Sequence, residues 1–363
     1  MKYILNKLNI NKEIPSSIFE RVKLAEYLDY IKEQQDYNKT DNTKHYSEKF
    51  NVLLFDLFKG FNYSKEVVDP FAGKGDLLFT LERFKKVNMY DIEPEHPDII
   101  EQDTLMEPVN YDNKYVVTNP PYLAKNKNKD KFLYNLYKVD DLYKASIKSI
   151  INGKALGGCL IVPLNFLTDE NTKDLRKEFF SKYHIANLNI FKQQMFKYTK
   201  YNTCSFNFFL GKQEKPIKTI IFNELIELNI ELKEEYGYRL FGEFYKSLDI
   251  PTTIVRHIPN NNVSSNILIH CIDGIKADNL IRAEYVEELP IIKESDRNTF
   301  VASVNLTKEE QLQLIEYFNN FVNTYRDKYY NLIFTNYREN NRKRISFDLA
   351  YKILQKGIDE LHK

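Results

Sequence analysis

The stretch VVDPFAGKGD, residues 67–76, decides the fold that the sequence predicts. An apolar run ends at Asp69 and passes directly into a turn that contains Gly73 and Gly75. Open α/β sheets bind ligands at the carboxyl ends of their strands, and glycine there lets the backbone approach a ligand because no Cβ intervenes. The stretch is not a P-loop, because Lys74 is not followed by Ser or Thr. Taken alone, it predicts a strand and a tight turn, with or without a ligand.

Strand-like and helix-like segments alternate around this turn up to about residue 210. Such alternation predicts an α/β fold with a doubly wound, mostly parallel sheet. Apolar and β-branched runs predict strands at 66–69, 87–90, 114–118, 159–162, 185–190 and 203–210. Helical spacing of apolar residues predicts helices at 18–37, 47–59, 77–86, 141–152 and 170–180.

The alternation of predicted strands and helices stops after Gly211. Short β-like runs and acidic stretches follow, and helices are predicted only at 305–325 and 346–361. A length of 363 residues is typical of two domains. We therefore predict one domain at 1–212 and a mixed α+β domain at 213–363.

Composition excludes several classes of protein. The chain has 52 Lys+Arg against 51 Asp+Glu, and its 43% hydrophobic content is ordinary for a globular protein. A net charge of +1 argues against a protein that coats nucleic acid indiscriminately, but it leaves room for a local basic cleft. No signal peptide and no membrane-spanning apolar run is evident, so we expect a cytoplasmic protein with no membrane partner.

Cysteine and histidine patterns predict no metal site. The three cysteines are far apart in the chain and odd in number, which fits neither a disulfide framework nor a zinc motif. The histidines form no H-E-x-x-H motif. We expect no metal cofactor.

An acidic residue closes the next predicted strand, about 20 residues after the glycine turn. In dinucleotide-binding folds such a carboxylate accepts hydrogen bonds from ribose hydroxyls. Asp91 is a better candidate than Glu93, because Asp91 lies at the strand end. Asp103 and Thr104 follow at the next loop, where an adenine edge could be bound. These positions together predict a ligand that contains a nucleoside.

The motif VVTNPPY, residues 116–122, is the strongest functional signal. The tandem prolines remove two N–H donors, so this backbone presents carbonyl acceptors. Asn119 adds a side-chain oxygen, and Tyr122 offers a flat face for stacking. Two hydrogen-bond acceptors and an aromatic stacking surface suit a planar group that bears an NH₂. The alternative is a proline-rich turn with a buried tyrosine.

These motifs resemble those of the N6-adenine DNA methyltransferases of restriction–modification systems, over residues 40–212. Their order is that of the family's gamma-type members, in which a target-recognition domain follows the catalytic domain. The resemblance implies S-adenosylmethionine as cofactor and a target-recognition role for 213–363. The cofactor-binding residues that it implies are Asp69, Phe71, Gly73, Gly75, Asp91, Ile92, Asp103, Thr104 and Asn119.

The resemblance also implies how the target base is held. The Asn119 side-chain oxygen and the Pro120 carbonyl would accept the two N6–H bonds of a flipped adenine. Tyr122 would stack on the base, with its hydroxyl contributing little, and Phe196 would either stack on the other face or pack in the core. Lys125, Lys127 and Lys129 would contact phosphates of double-stranded DNA, and a second basic run within 325–344 would contact the DNA backbone.

We therefore expect the modification enzyme of a type II restriction system, with a separate endonuclease that acts on the same site. Methylation of an RNA adenine or of a protein glutamine amide stays open, because the same motif occurs in such enzymes. A non-catalytic DNA-binding specificity module is a further alternative, although it would not need all of these motifs together.

Overall fold

The computed structural model describes residues 60–192, 195–196, 201–222, 226–256, 265–274, 280–336 and 342–363. The helices predicted at 18–37 and 47–59 lie outside the described residues. The chain divides into two compact units. The first runs to Phe166 and resumes at Lys173–Glu231, and the second comprises Leu167–Thr172 and Leu232–Lys363.

A nine-stranded sheet forms the centre of the first unit as described, in the order β3-β2-β1-β4-β5-β7-β6-β8-β9. Strands β1 to β5 pair in parallel, β8 lies parallel to β6, and β7 and β9 are antiparallel to their neighbours. This confirms the predicted α/β class with a mostly parallel sheet. The strands are β1 Glu66–Asp69, β2 Lys86–Asp91, β3 Ile100–Glu101, β4 Tyr115–Thr118, β5 Gly157–Pro163, β6 Tyr183–Phe191, β7 Thr203–Leu210, β8 Ile217–Phe222 and β9 Ile226–Ile230.

The central strands are buried along their whole length. Every residue of β4 and of β5 is buried, which explains why these strands appear in the sequence as continuous apolar runs and not as alternating ones. The strand order reverses between β1 and β4, since β1 leads outward to β2 while β4 leads outward to β5. Ligands of open α/β sheets bind at such a reversal, beside the carboxyl ends of the two strands.

Helices connect the parallel strands: α1 Leu78–Leu81, α2 Phe132–Tyr137, α3 Leu142–Asn152, α4 Asn165–Thr168 and α5 Lys173–Phe180. The predicted helix at 77–86 is shorter than expected, because the Lys85 N–H donates to the Tyr63 carbonyl and the chain enters β2 at once. The helix predicted at 170–180 begins only at Lys173, after a 3-10 turn at Glu170–Thr172.

The predicted domain boundary at residue 212 falls inside the first unit. Strand β8 continues the sheet beside β6, β9 pairs with β8, and the unit ends at Glu231. The βα alternation stops earlier than the sheet does, because consecutive antiparallel strands such as β8 and β9 need no crossover helix between them. The first compact unit therefore ends about twenty residues after the predicted boundary.

The second unit is a mixed α+β structure, as predicted for the C-terminal region. Its four-stranded antiparallel sheet has the order β10-β13-β11-β12, and β14 and β15 form a small pair. Helix α7 begins with a capping box between Thr307 and Glu310, and Ser346 caps α8. The elements are α6 Gly242–Lys246, β10 Val255–Arg256, β11 Ile267–His270, β12 Arg282–Tyr285, β13 Thr299–Ser303, α7 Lys308–Lys328, β14 Thr335–Asn336, β15 Lys343–Arg344 and α8 Phe347–Leu361.

Candidate active site

A cavity of about 210 Å³ lies at the carboxyl ends of β1 and β4. The fold brings residues from the glycine turn, the Asn-Pro-Pro-Tyr motif and the segment near 196 to this one place. Its lining residues are Asp69, Phe71, Ala72, Gly73, Lys74, Asp76, Leu77, Asn119, Ile161 and Phe196. Five of them were predicted site residues. Lys74 and Asp76 belong to the stretch 67–76 but were not predicted as site residues, and Ile161 carried no recognisable signal.

The glycine turn after β1 needs glycine for its backbone conformation. Gly73 and Gly75 have φ of +53° and +77°, in the left-handed region that side chains disfavour. A Cβ at Gly73 would meet no atom within 4 Å, so the space beside this turn is open. The Gly73 N–H donates to Asp91 Oδ2 at 2.7 Å, and the Ala72 N–H donates to the Tyr90 carbonyl at 2.8 Å. Strand β2 therefore holds the turn in place.

Asp91 has a structural task that the sequence did not reveal. Besides the Gly73 bond, its Oδ1 accepts from the Glu93 N–H at 3.0 Å. Each carboxylate oxygen has two lone pairs, so both can still accept from a ligand hydroxyl. Ile92 follows with 61% of its surface exposed, beside the place expected for the nucleoside.

The loop that follows β3 contains Asp103 and Thr104, which do not line the cavity. Asp103 Oδ1 accepts from the N–H groups of Leu105 and Met106, at 3.0 and 3.1 Å. The buried Thr104 hydroxyl donates to the Pro70 carbonyl at 2.8 Å. This hydrogen bond from Thr104 connects the loop to the start of the glycine turn. The Thr104 hydroxyl proton is therefore already donated to a backbone carbonyl.

Asp69 is a buried carboxyl at the cavity. It is 2% exposed, and its Oδ1 accepts from the Thr118 hydroxyl at 2.6 Å and from the Phe71 N–H at 3.2 Å. Burial raises the pKa of Asp69 to about 7, and the negative charges of Asp91 and Asp76 add to the rise while the two hydrogen bonds oppose it. A cationic ligand in the cavity would favour the ionised form.

Asn119 and Tyr122 meet directly. The Tyr122 hydroxyl lies 2.7 Å from Asn119 Oδ1 and 2.8 Å from the Ile161 carbonyl oxygen. Burial raises the pKa of Tyr122 well above its usual value, so the phenol stays protonated. The hydroxyl therefore has two hydrogen-bond partners that the sequence did not predict.

The aromatic side chains around Tyr122 are arranged edge to face. Its ring centroid lies 6.1 Å from that of Phe196 at 78° and 6.3 Å from that of Tyr143 at 87°. Tyr122 and Phe196 are therefore in contact and nearly perpendicular. A base stacked on both rings would require them to separate.

The lysines that follow the motif divide into two groups. Lys125 Nζ donates to Asn135 Oδ1 at 2.7 Å, and Lys131 Nζ donates to the carbonyls of Lys125 and Asn128. These two side chains stabilise the loop through these hydrogen bonds. Lys127 and Lys129 are exposed, which leaves them as the better candidates for phosphate contact.

Three cations of the basic run at 325–344 have structural partners that the sequence did not predict. Arg326 is buried and donates to both carboxylate oxygens of Asp273, at 2.8 and 2.9 Å. Lys343 is also buried, and Arg342 donates to the Asp273 carbonyl oxygen at 2.6 Å. A buried carboxylate needs such partners, so these three cations stabilise the second unit. Lys328 is exposed, and its contact with the DNA backbone stays a prediction. Arg338 lies outside the described residues.

Other features of the described residues bear on the chemistry. The thiols of Cys159, Cys204 and Cys271 are buried, which raises their pKa and makes them poor nucleophiles. No group of three His, Cys, Asp or Glu side chains in the described ranges could hold a metal ion. No helix in that part of the chain has the length and apolar character needed to cross a membrane.

Comparisons with known proteins give likeness of fold only. No family model and no curated protein matches the chain. The modification subunit assigned to a type I restriction enzyme of Vibrio vulnificus is 14% identical with a TM-score of 0.39, over 60% of this chain and 54% of that one. A Listeria monocytogenes protein assigned to the class I S-adenosylmethionine-dependent methyltransferases is 11% identical with a TM-score of 0.40, over 56% and 74%. A type IIL restriction–modification enzyme in complex with DNA is 14% identical with a TM-score of 0.37, over 71% and 44%.

The chain thus spans about half the length of the first of these proteins.

Proposed function

We propose that the chain transfers a methyl group from S-adenosylmethionine to N6 of an adenine flipped out of double-stranded DNA. One observation carries the proposal: Asn119 lines the same cavity as Asp69 and the glycine turn. A group that accepts hydrogen bonds from an NH₂ therefore lies beside a site suited to a nucleoside-containing cation.

The residues around the cavity fit this cofactor. Bound there, it would supply an electrophilic methyl group on a positively charged sulfur. The buried Asp69 carboxyl would complement positive charge, and the open space beside Gly73 would receive the methionine end. Asp91 would accept from ribose hydroxyls, Ile92 would offer apolar contact, and Asp103 lies at the loop expected for the adenine.

Asn119 and Pro120 would act on the target nitrogen. The N6 lone pair of adenine is delocalised into the ring and is a poor nucleophile. Two fixed acceptors for its protons would favour a pyramidal nitrogen and would stabilise the positive charge that builds there during transfer. In a duplex N6 cannot reach such a pocket, so the base must be flipped, with Tyr122 or Phe196 against its face.

The remaining parts of the chain would supply DNA binding. Lys127 and Lys129 would contact phosphates. The second unit, with the boundary now after Glu231, would serve as the target-recognition domain of a type II modification enzyme. A separate endonuclease would act on the same site.

Sequencing of modified bases tests the proposal. The full chain is expressed in a host whose DNA lacks N6-methyladenine, with Asn119→Ala as the matched control. We expect N6-methyladenine at one short sequence motif, and none with the control. Methyl groups found only on RNA adenines or on a glutamine amide would support those alternatives, and cofactor binding without any transfer would support a binding module.

A further inference from the structure

The Tyr122 hydroxyl lies between the Asn119 side chain and the Ile161 carbonyl oxygen. Its hydrogen bonds bear on which end of the Asn119 amide is presented to the cavity. We propose that the Tyr122 hydroxyl is a positioning group that fixes the orientation of the Asn119 amide, so that the amide oxygen faces the cavity. This inference rests on the proposed function, because it assigns a task to Asn119.

The hydroxyl of Tyr122 has one proton for two neighbours. Its oxygen lies 2.7 Å from Asn119 Oδ1 and 2.8 Å from the Ile161 carbonyl oxygen. A backbone carbonyl can only accept, whereas an amide can either donate or accept. If the phenol donated to the Asn119 oxygen, its own oxygen would lie against the Ile161 oxygen with no proton between them.

Turning the Asn119 amide by 180°, which exchanges Oδ1 and the NH₂ group, satisfies both contacts. The phenol donates to the Ile161 carbonyl, and the Asn119 NH₂ donates to the phenol oxygen. The two ends of an amide are nearly equal in size, so hydrogen-bond partners decide its orientation. The side chain must then present its NH₂ to Tyr122 and its oxygen away from Tyr122.

Ile161 is a fixed reference point for this chain of contacts. It lies in β5, where Leu160 is the last residue paired with β4 and Ile161 itself pairs with Ser205 of β7. The Tyr122 ring is in turn packed edge to face against Tyr143 and Phe196. The Ile161 carbonyl and the Tyr122 ring are therefore both held in place, the first by the sheet and the second by its aromatic neighbours.

Orientation of the amide decides what the cavity can bind. Asn119 lines the cavity, and with its oxygen directed there it accepts from an NH₂ group. The reversed amide would present its own NH₂ to that group, and two donors would face each other. Tyr122 thus favours an amino nitrogen over a carbonyl oxygen at this position without touching the substrate through its hydroxyl.

Tyr122→Phe removes the hydroxyl and keeps the ring. We expect kcat for DNA methylation to fall about fivefold to thirtyfold, as for one lost hydrogen bond, while KM for DNA and the affinity for S-adenosylmethionine change less than about twofold. Tyr183→Phe is the matched control, since its hydroxyl also bonds a backbone carbonyl, that of Ala155 at 3.1 Å. We expect its kcat to be unchanged.

A double-mutant cycle separates orientation from general packing. A carboxylate has two equivalent oxygens, so Asn119→Asp has no wrong orientation. In that background the phenol has one proton for two acceptors whichever way the side chain turns, so Tyr122→Phe should no longer lower kcat. An equal loss in both backgrounds would overturn the proposal, and so would unchanged kcat in Tyr122→Phe alone.

A measurement that does not depend on methyl transfer distinguishes this inference from the proposed function. In the full chain labelled with ¹⁵N-asparagine, the Asn119 NH₂ signal, identified by its loss in Asn119→Asp, should shift and exchange faster with solvent in Tyr122→Phe. An unchanged signal would mean that the amide oxygen faces Tyr122, and the inference would fail whatever the activity. A shifted signal in a protein that does not methylate DNA would instead overturn the proposed function.

Discussion

Thr118 donates its hydroxyl proton to Asp69 across 2.6 Å, and this bond joins the carboxyl ends of β4 and β1. Thr118 immediately precedes Asn119, whereas Asp69 immediately precedes the glycine turn. The proposed catalytic motif and the proposed cofactor turn are therefore connected by a single buried hydrogen bond. The bond also acts on the pKa of Asp69, which it lowers against the effect of burial.

Asp69 should make cofactor binding depend on pH. Its pKa is about 7 in the unliganded protein, so the carboxyl becomes ionised as pH rises through neutrality. Because a cationic ligand favours the ionised form, the affinity for S-adenosylmethionine should increase from about pH 6 to pH 8 and then level off. Calorimetric titrations across this range measure it. Asp69→Asn should bind more weakly and show a flatter profile, and an equally steep profile in that variant would assign the titration to another group.

Asp91→Ala should weaken cofactor binding for two reasons. The carboxylate would lose its bonds to ribose hydroxyls, and the Gly73 N–H would lose the acceptor that holds the turn. We expect a loss of about 1.5–3 kcal/mol in binding free energy, with DNA binding nearly unchanged. Glu93→Ala is the control, because Glu93 is exposed and next to Asp91. A larger loss in the Glu93 variant would show that the wrong acid had been chosen.

Replacing Lys127 and Lys129 should lower the affinity for DNA without lowering the stability of the protein. Their joint replacement by Gln should weaken binding to all duplexes similarly and should reduce the slope of log affinity against log salt by about 0.9 for each lost phosphate contact. Melting temperature should not change, since both side chains are exposed. Lys131→Gln is the comparison, because its ammonium group bonds two loop carbonyls and its loss should lower stability. An unchanged salt slope in the double variant would remove these lysines from the DNA interface.

Arg326→Ala should destabilise the chain by about 3–5 kcal/mol, because it leaves Asp273 buried without its charge partner. Urea unfolding measures the loss. Replacing both residues, as Arg326→Met with Asp273→Leu, should recover part of it. If Arg326→Ala instead kept full stability and weakened DNA binding, the sequence-based prediction of backbone contact would be right.

Local patterns predicted the strands well, because each carries its signal within a few residues. The strands at 66–69 and 203–210 were predicted with the bounds that the structure has. Strand β3 was missed, since it consists of two exposed residues, Ile100 and Glu101, with no apolar run. The run at 219–222 was recognised as β-like, but its place in the sheet as part of β8 was missed, because no crossover helix precedes it to mark a parallel unit.

Contacts between distant residues could not be predicted from the sequence. The Tyr122 hydroxyl meets a carbonyl 39 residues away, and Arg326 meets an aspartate 53 residues away. A run of arginines has the same sequence pattern whether it faces phosphates or a buried carboxylate. The residue types of the candidate site were therefore predictable, whereas their hydrogen bonds were not.

The central claim is that Asn119 acts on the target amine beside a bound cofactor. Its most direct test is the single-turnover rate of N6-methyladenine formation by the wild-type chain and by Asn119→Ala, with cofactor affinity measured on the same samples. We predict that the variant loses about a hundredfold or more in rate and binds S-adenosylmethionine within about twofold of the wild type. A folded Asn119→Ala protein that methylates adenine at a near-normal rate would contradict the account.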